Sequence, residues 1–81
     1  MRQKKTIRNR RILGELLREL RESAGLKQSD VASRLQQTQS FVSKWEAGQR
    51  RVDVLQLRAF CDAAGVSLGR FVVELESRLE S

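Results

Sequence analysis

The sequence predicts an all-α fold of five helices, and three observations carry that expectation. Proline is absent, and Leu, Glu, Arg, Gln and Ala, which sit comfortably in helices, dominate. Apolar residues recur at the i, i+3, i+4, i+7 spacing of a half-buried helix rather than alternating as in a strand. Glycines and capping residues (Gly25, Thr38, Gly48, Asp53, Gly65 and Ser67) punctuate the pattern where one helix should stop or the next begin. With 81 residues the chain has room for one modest core, and a hydrophobic content of 40% favours a folded chain over a disordered one.

Residues 1–11 contain Arg2, Lys4, Lys5, Arg8, Arg10 and Arg11, no acid, and Ile7 as the one aliphatic side chain after Met1. They show no apolar stripe, so the expectation is a flexible basic arm ahead of a single domain over 12–81. The first helix spans about 12–24, with Leu13, Leu16, Leu17 and Leu20 inward and Gly25 as its stop. The second spans about 28–35, with Val31, Ala32 and Leu35 inward. A joint at Gln36–Thr38 leads to the third, about 39–47, for which Thr38 supplies a cap. Val42 and Trp45 face in, and Phe41 is expected to be partly covered. After a basic loop, Asp53 and Gln56 form a capping box for the fourth helix, about 53–64. Ser67 caps the fifth, about 68–79, which carries Leu68, Phe71, Val72, Leu75 and Leu79.

The net charge of +6 is unevenly placed. All of it falls in residues 1–11, while the remainder of the chain is balanced. Within that remainder, residues 27–51 hold Lys27, Arg34, Lys44, Arg50 and Arg51 against Asp30 and Glu46. Positive charge gathered in two segments points to a polyanion partner. The arm also has a plain reading as a solvated tail. A membrane surface fits poorly, because basic charge without apolar area binds weakly. No run approaches the ~18 apolar residues of a membrane span. Residues 1–11 lack the hydrophobic stretch of a secretory signal, and with the single Cys61 this leads to a cytoplasmic expectation.

The composition argues against catalysis. There is no histidine, and one cysteine cannot complete a zinc site. Cys61 lacks a histidine to activate it, and its place in the series Leu57, Phe60, Cys61, Ala64 makes it a core residue. The five glycines are scattered rather than gathered into a phosphate loop. Glu15 with Glu19 and Glu74 with Glu76 stand among arginines at helical spacing, as surface ion pairs do. The expectation is a protein that is not an enzyme and holds no metal or cofactor.

Helices two and three are short and closely joined, as in a helix-turn-helix. Gly25-Leu26-Lys27-Gln28-Ser29-Asp30-Val31-Ala32, followed by Thr38-Gln39-Ser40-Phe41-Val42-Ser43-Lys44-Trp45-Glu46-Ala47-Gly48, resembles the Cro/phage-repressor (XRE-type) helix-turn-helix family. The resemblance covers about residues 12–73. It implies a five-helix repressor-like DNA-binding domain whose third helix enters the major groove of double-stranded DNA. This chain departs from the family pattern at Gln36, where the turn usually has glycine, and at Lys27, where Ser or Thr usually caps the second helix.

The resemblance implies a set of roles. Gln39, Ser40, Ser43 and Lys44 stand outward on the third helix as base readers, Gln39 toward an adenine edge and Lys44 toward guanine. Lys27, Gln28, Thr38, Arg50 and Arg51 lie beside it as backbone contacts, with Gln28 also expected to brace Gln39. The arm cations would add further phosphate contacts. Arg21 and Glu46 match positions that form an ion pair between the first and third helices. The fifth helix offers Phe71, Val72, Leu75 and Leu79 as a homodimer face, with Val73 off the main stripe. These features lead to a sequence-specific transcriptional regulator, a bacterial or phage-encoded repressor on a palindromic operator. An antitoxin-type autorepressor with an unknown protein partner, and a protein-interaction module that does not bind DNA, stand as alternatives.

Overall fold

A computed structural model describes the backbone of residues 2–81 and the side chains from Lys5 onward. Five helices follow one another: α1 Arg2–Ser23, α2 Gln28–Leu35, α3 Gln39–Glu46, α4 Val54–Ala63 and α5 Leu68–Glu80. Among the described residues no strand occurs. α1 packs on α3 and α5, α2 packs on α3 and α4, and α4 closes against α5.

The expected arm is the point at which the architecture differs. Residues 2–11 are the opening turns of α1 rather than a separate flexible segment. Nothing there breaks a helix, because Arg, Lys and Gln are good helix formers and no proline or glycine intervenes before Gly14. A missing apolar stripe signals exposure, not absence of helix, and Ile7 is exposed on a helical turn. Arg8 ties this end down by donating to the Ser81 carbonyl at 3.0 Å. The side chains of Arg2 and Lys4 lie outside the described residues.

The core comprises Leu16 and Leu17 from α1, Val31 and Ala32 from α2, and Val42 and Trp45 from α3. Leu57, Phe60 and Cys61 from α4 and Phe71 from α5 complete it. Trp45 lies at its centre, edge-on to Phe41 at 4.8 Å and tilted against Phe60 at 6.3 Å. Cys61 is sealed among these side chains, and burial, helped by Asp62, pushes its thiol up to about 11. It therefore stays protonated and unreactive in neutral water.

Local chemistry explains the helix boundaries. Thr38 Oγ accepts from the Phe41 amide at 3.2 Å, and Ser67 Oγ accepts from the Arg70 amide at 3.2 Å. Asp53 and Gln56 satisfy each other's backbone N–H groups at 2.8 and 2.9 Å, a reciprocal capping box. Lys27 has no acceptor to offer α2, so the cap runs the other way: the Asp30 carboxylate accepts from the Lys27 amide at 2.8 Å. On the far side of the bundle, Arg78 of α5 donates to both Glu19 oxygens at 2.7 and 2.8 Å. That bond holds the Glu19 carboxyl below its ordinary range, against a small opposing effect of burial. Arg34 donates to the Ala63 carbonyl and so joins α2 to the end of α4.

α2 stops at Gln36, which adopts φ 56 and ψ 42, a left-handed conformation taken by no other non-glycine residue described. The turn keeps the geometry that glycine would allow and carries a side chain there at a cost of about 1 kcal/mol or more. Glycine relieves this strain but gives up some through greater freedom of the unfolded chain. Gln36→Gly is accordingly expected to raise the unfolding free energy by about 0.5–1 kcal/mol in a urea titration. A loss of stability would show that the exposed Gln36 side chain contributes more than its backbone costs.

Candidate nucleic-acid interface

The candidate site is built on α3. Its inward residues, Val42, Trp45 and Glu46, are buried, whereas Gln39, Ser40, Ser43 and Lys44 are all exposed. The helix thus offers a continuous strip of donors and acceptors to an external ligand. Thr38 is exposed at the start of this strip, although its hydroxyl is already engaged as the cap.

The buried end of α3 is held by an ionic node. Arg21 Nε donates to Glu46 Oε2 at 2.7 Å and Arg21 Nη2 to Oε1 at 3.0 Å, a bidentate pair joining α1 to α3. The remaining guanidinium nitrogen, Nη1, donates to the Leu26 carbonyl at 2.9 Å. Gln28 Nε2 donates to Glu46 Oε1 at 3.1 Å. The node therefore links α1, the α1–α2 turn, α2 and α3, and among the described residues no buried side-chain polar atom lacks a partner. The bond to Glu46 raises the pKa of Arg21, against the effect of burial. The expected contact from Gln28 to Gln39 is not made. Gln28 is half-buried and turned toward Glu46, because a carboxylate already drawn into the bundle is the stronger acceptor.

Backbone contact with α1 also sets the position of α3. A Cβ on Gly14 would stand 2.5 Å from the Glu46 carbonyl oxygen and 2.8 Å from that of Trp45. Only a residue without a side chain lets the two helices approach this closely. Gly48, at φ +73 just past α3, lies against the backbone of Arg10 and Arg11, where a Cβ would come within 3.2–3.3 Å. The opening turns of α1 are thereby laid beside the loop that follows α3. Arg10 and Arg51 line the same groove, of about 390 Å³, floored by Leu13, Val52, Leu75 and Leu79. Charges forty residues apart in sequence are brought to one region, which the sequence reading could not place.

The loop after α3 is fastened in two ways. Trp45 Nε1 donates to the Arg51 carbonyl at 3.2 Å. The Arg50 guanidinium lies over the Phe41 ring, 4.0 Å from its centroid. Neither contact was anticipated, although an aromatic residue at the third position of α3 close in sequence to a pair of arginines was the available signal. Lys27, Arg50 and Arg51 are exposed on either side of α3; Lys5, Arg8 and Arg11 are exposed on α1, and Arg10 is half-buried.

The expected dimer face is only partly available. Phe71 is 3% exposed and belongs to the core, so it is removed from that face. It lies on the same stripe as Leu68 and Leu75, which faces α1 and α4, and a large aromatic side chain there is needed to fill the bundle. Leu75 and Leu79 are half-buried along the groove described above, while Val72 and Val73 are exposed at 39% and 71%. Among the described residues no His/Cys/Asp/Glu group could hold a metal ion, and no helix is long and apolar enough to cross a membrane.

Comparison with known proteins agrees with this geometry. Residues 12–71 match the model of a family described as a helix-turn-helix domain. An XRE-family like protein from Pseudomonas syringae pv. tomato str. DC3000 is 40% identical, over 96% of this chain and 98% of its own, with a TM-score of 0.80. The clp gene regulator ClgR from C. glutamicum is 25% identical over 88% of this chain and 91% of its own, with a TM-score of 0.79. The restriction-modification controller protein C.Esp1396I, solved as a tetramer with its natural 35 base-pair operator, shares the fold at 18% identity, covering 90% of this chain and 96% of its own, with a TM-score of 0.80. No curated protein matches the chain by sequence. With the family model spanning most of the chain and a close relative matched end to end, this protein belongs to the XRE-type helix-turn-helix family.

Proposed function

We propose that the protein is a sequence-specific regulator of transcription that binds duplex DNA through α3. One observation carries the reading: Gln39, Ser40, Ser43 and Lys44 form an exposed polar strip on a helix whose opposite face is locked into the bundle. A reading helix must present donors and acceptors while its backbone stays fixed, since base discrimination depends on bidentate geometry. Gln39 and Ser40 sit at the N-terminal end of the helix, the end that approaches base edges when such a helix docks. Lys27, Arg50 and Arg51 flank the strip and take phosphates, joined by Arg8 and Arg11 from α1. With its side chain held by Glu46, Gln28 offers its backbone amide at the start of α2, and Thr38 offers its own at the start of α3. The relatives described as a gene regulator and as an operator-bound controller support the same assignment.

In this reading the regulator acts as a repressor that occupies its operator. A two-fold related operator read by a dimer suits so small a reading surface. Exposed Val72 and Val73, with the accessible edges of Leu75 and Leu79, supply the apolar contact.

The test is selection of bound duplexes from a random pool, followed by titration of the recovered site. Gln39→Ala should weaken that site by about 1–3 kcal/mol and relax preference at one base position. Unaltered preference would remove Gln39 from the set of base readers. A wild-type chain that ignores every duplex even in low salt would end the DNA reading and leave the interaction-module alternative.

A further inference from the structure

The contact between Arg50 and Phe41 goes beyond the roles assigned above. Among the described residues Arg50 has no carboxylate partner; the ion pairs engage Arg18, Arg21 and Arg78. Its guanidinium instead covers the Phe41 ring at 4.0 Å. That ring is itself fixed, edge-on to Trp45 at 4.8 Å with an interplanar angle of 73°. Trp45 is 2% exposed and also holds the next loop residue by donating to the Arg51 carbonyl at 3.2 Å. The loop thus takes its position from two aromatic side chains of the reading helix, one through an arginine side chain and one through the backbone.

We propose that Phe41 is a positioning residue: its ring holds the Arg50 guanidinium beside the N-terminal half of α3, so that the chain meets DNA with a preformed phosphate clamp next to its base readers. The inference rests on the DNA-binding reading. The negative face of an aromatic ring attracts a guanidinium and covers one of its flat sides. The edge N–H donors stay free, and these are the groups that grip a phosphate in bidentate fashion. An exposed arginine is otherwise spread over many rotamers, and fixing it before contact reduces the ordering cost of binding. Phe41 directly follows Ser40 in the chain, so the clamp and the base readers share one helical turn. The register of α3 on the duplex then depends on a backbone contact held at a fixed offset from Gln39.

The experiment uses the full chain with Phe41→Leu, Phe41→Tyr, Arg50→Ala and the Phe41→Leu/Arg50→Ala double variant. Each is titrated against its selected duplex and an unrelated duplex at several salt concentrations, with melting temperatures recorded in parallel. Arg50→Ala should weaken both duplexes about tenfold and make the salt slope shallower by about 1. Phe41→Leu should weaken both about two- to fivefold, and Phe41→Tyr, which keeps the aromatic face, should restore binding. In the Arg50→Ala background Phe41→Leu should add no further loss. Equal losses from Phe41→Leu with and without Arg50 would overturn the proposal, as would an effect confined to one base position. The stack is also read without DNA: ring-current shifts of the Arg50 δ-protons in the NMR spectrum should disappear in Phe41→Leu. Shifts present in a chain that binds no duplex would refute the DNA reading, while their absence in a chain that binds DNA would refute the clamp.

Discussion

Glu46→Ala is expected to lower the unfolding free energy by about 3–5 kcal/mol, a large part of the stability of a chain this size. The substitution leaves the Arg21 guanidinium at the centre of the node with only the Leu26 carbonyl as a described acceptor. Its side chain is 11% exposed, too little for water to replace the carboxylate. Gln28 loses its acceptor at the same time. Urea denaturation measures the change, and a second variant identifies its source. Replacing both partners, as Arg21→Met with Glu46→Leu, removes the stranded charge and should recover much of the loss. A double variant as unstable as Glu46→Ala would show that the packing of the pair, not the orphaned cation, sets the cost. Because the node reaches the last residue of α3, Glu46→Ala should also weaken DNA binding at concentrations where the protein remains folded.

Gly14→Ala is the second large effect, and here two physical arguments predict opposite signs. Helix propensity favours alanine over glycine inside a helix by about 1 kcal/mol. The new methyl, however, would stand 2.5 Å from a backbone oxygen of Glu46, which cannot swing aside as a side chain can. α3 would have to move bodily away from α1, and overpacking of this kind costs about 1–3 kcal/mol. Net destabilisation of about 2 kcal/mol is therefore expected, measured by urea or thermal unfolding. Gly69→Ala serves as the control, since nothing lies within 4 Å of the Cβ it would gain. It should be neutral or slightly stabilising. A stabilised Gly14→Ala variant would refute the close approach of α1 and α3.

These two positions show what could be read from the residues and what could not. The third to fifth helices were visible because their apolar stripes and caps agree: Thr38, Asp53 and Ser67 each cap where expected. The second, which Lys27 leaves without a side-chain cap, was legible from the stripe of Val31, Ala32 and Leu35. The first helix was truncated because its opening turns bury almost nothing, and periodicity detects burial rather than helicity. Gly14 interrupts a helical pattern without ending it, a sign of close packing whose partner only the tertiary structure identifies. The Arg21–Glu46 pair came from the family resemblance; two charges twenty-five residues apart carry no local signal of pairing. Phe71 and Val72 are neighbours on an apolar stripe, and which of them faces inward depends on the exact roll of α5 against α1. The exposure of Gln39, Ser40, Ser43 and Lys44 was legible because Val42 and Trp45 fix the opposite face.

Cys61 lends itself to use as an internal reporter. As the lone sulfhydryl of the chain, enclosed between α4 and its neighbours, it can meet an alkylating reagent only when the bundle opens. The rate of its labelling in native buffer therefore reports how readily the bundle opens, without an engineered reporter group. The same rate followed with and without a bound duplex converts occupancy of the outer face of α3 into a reading from the opposite interior.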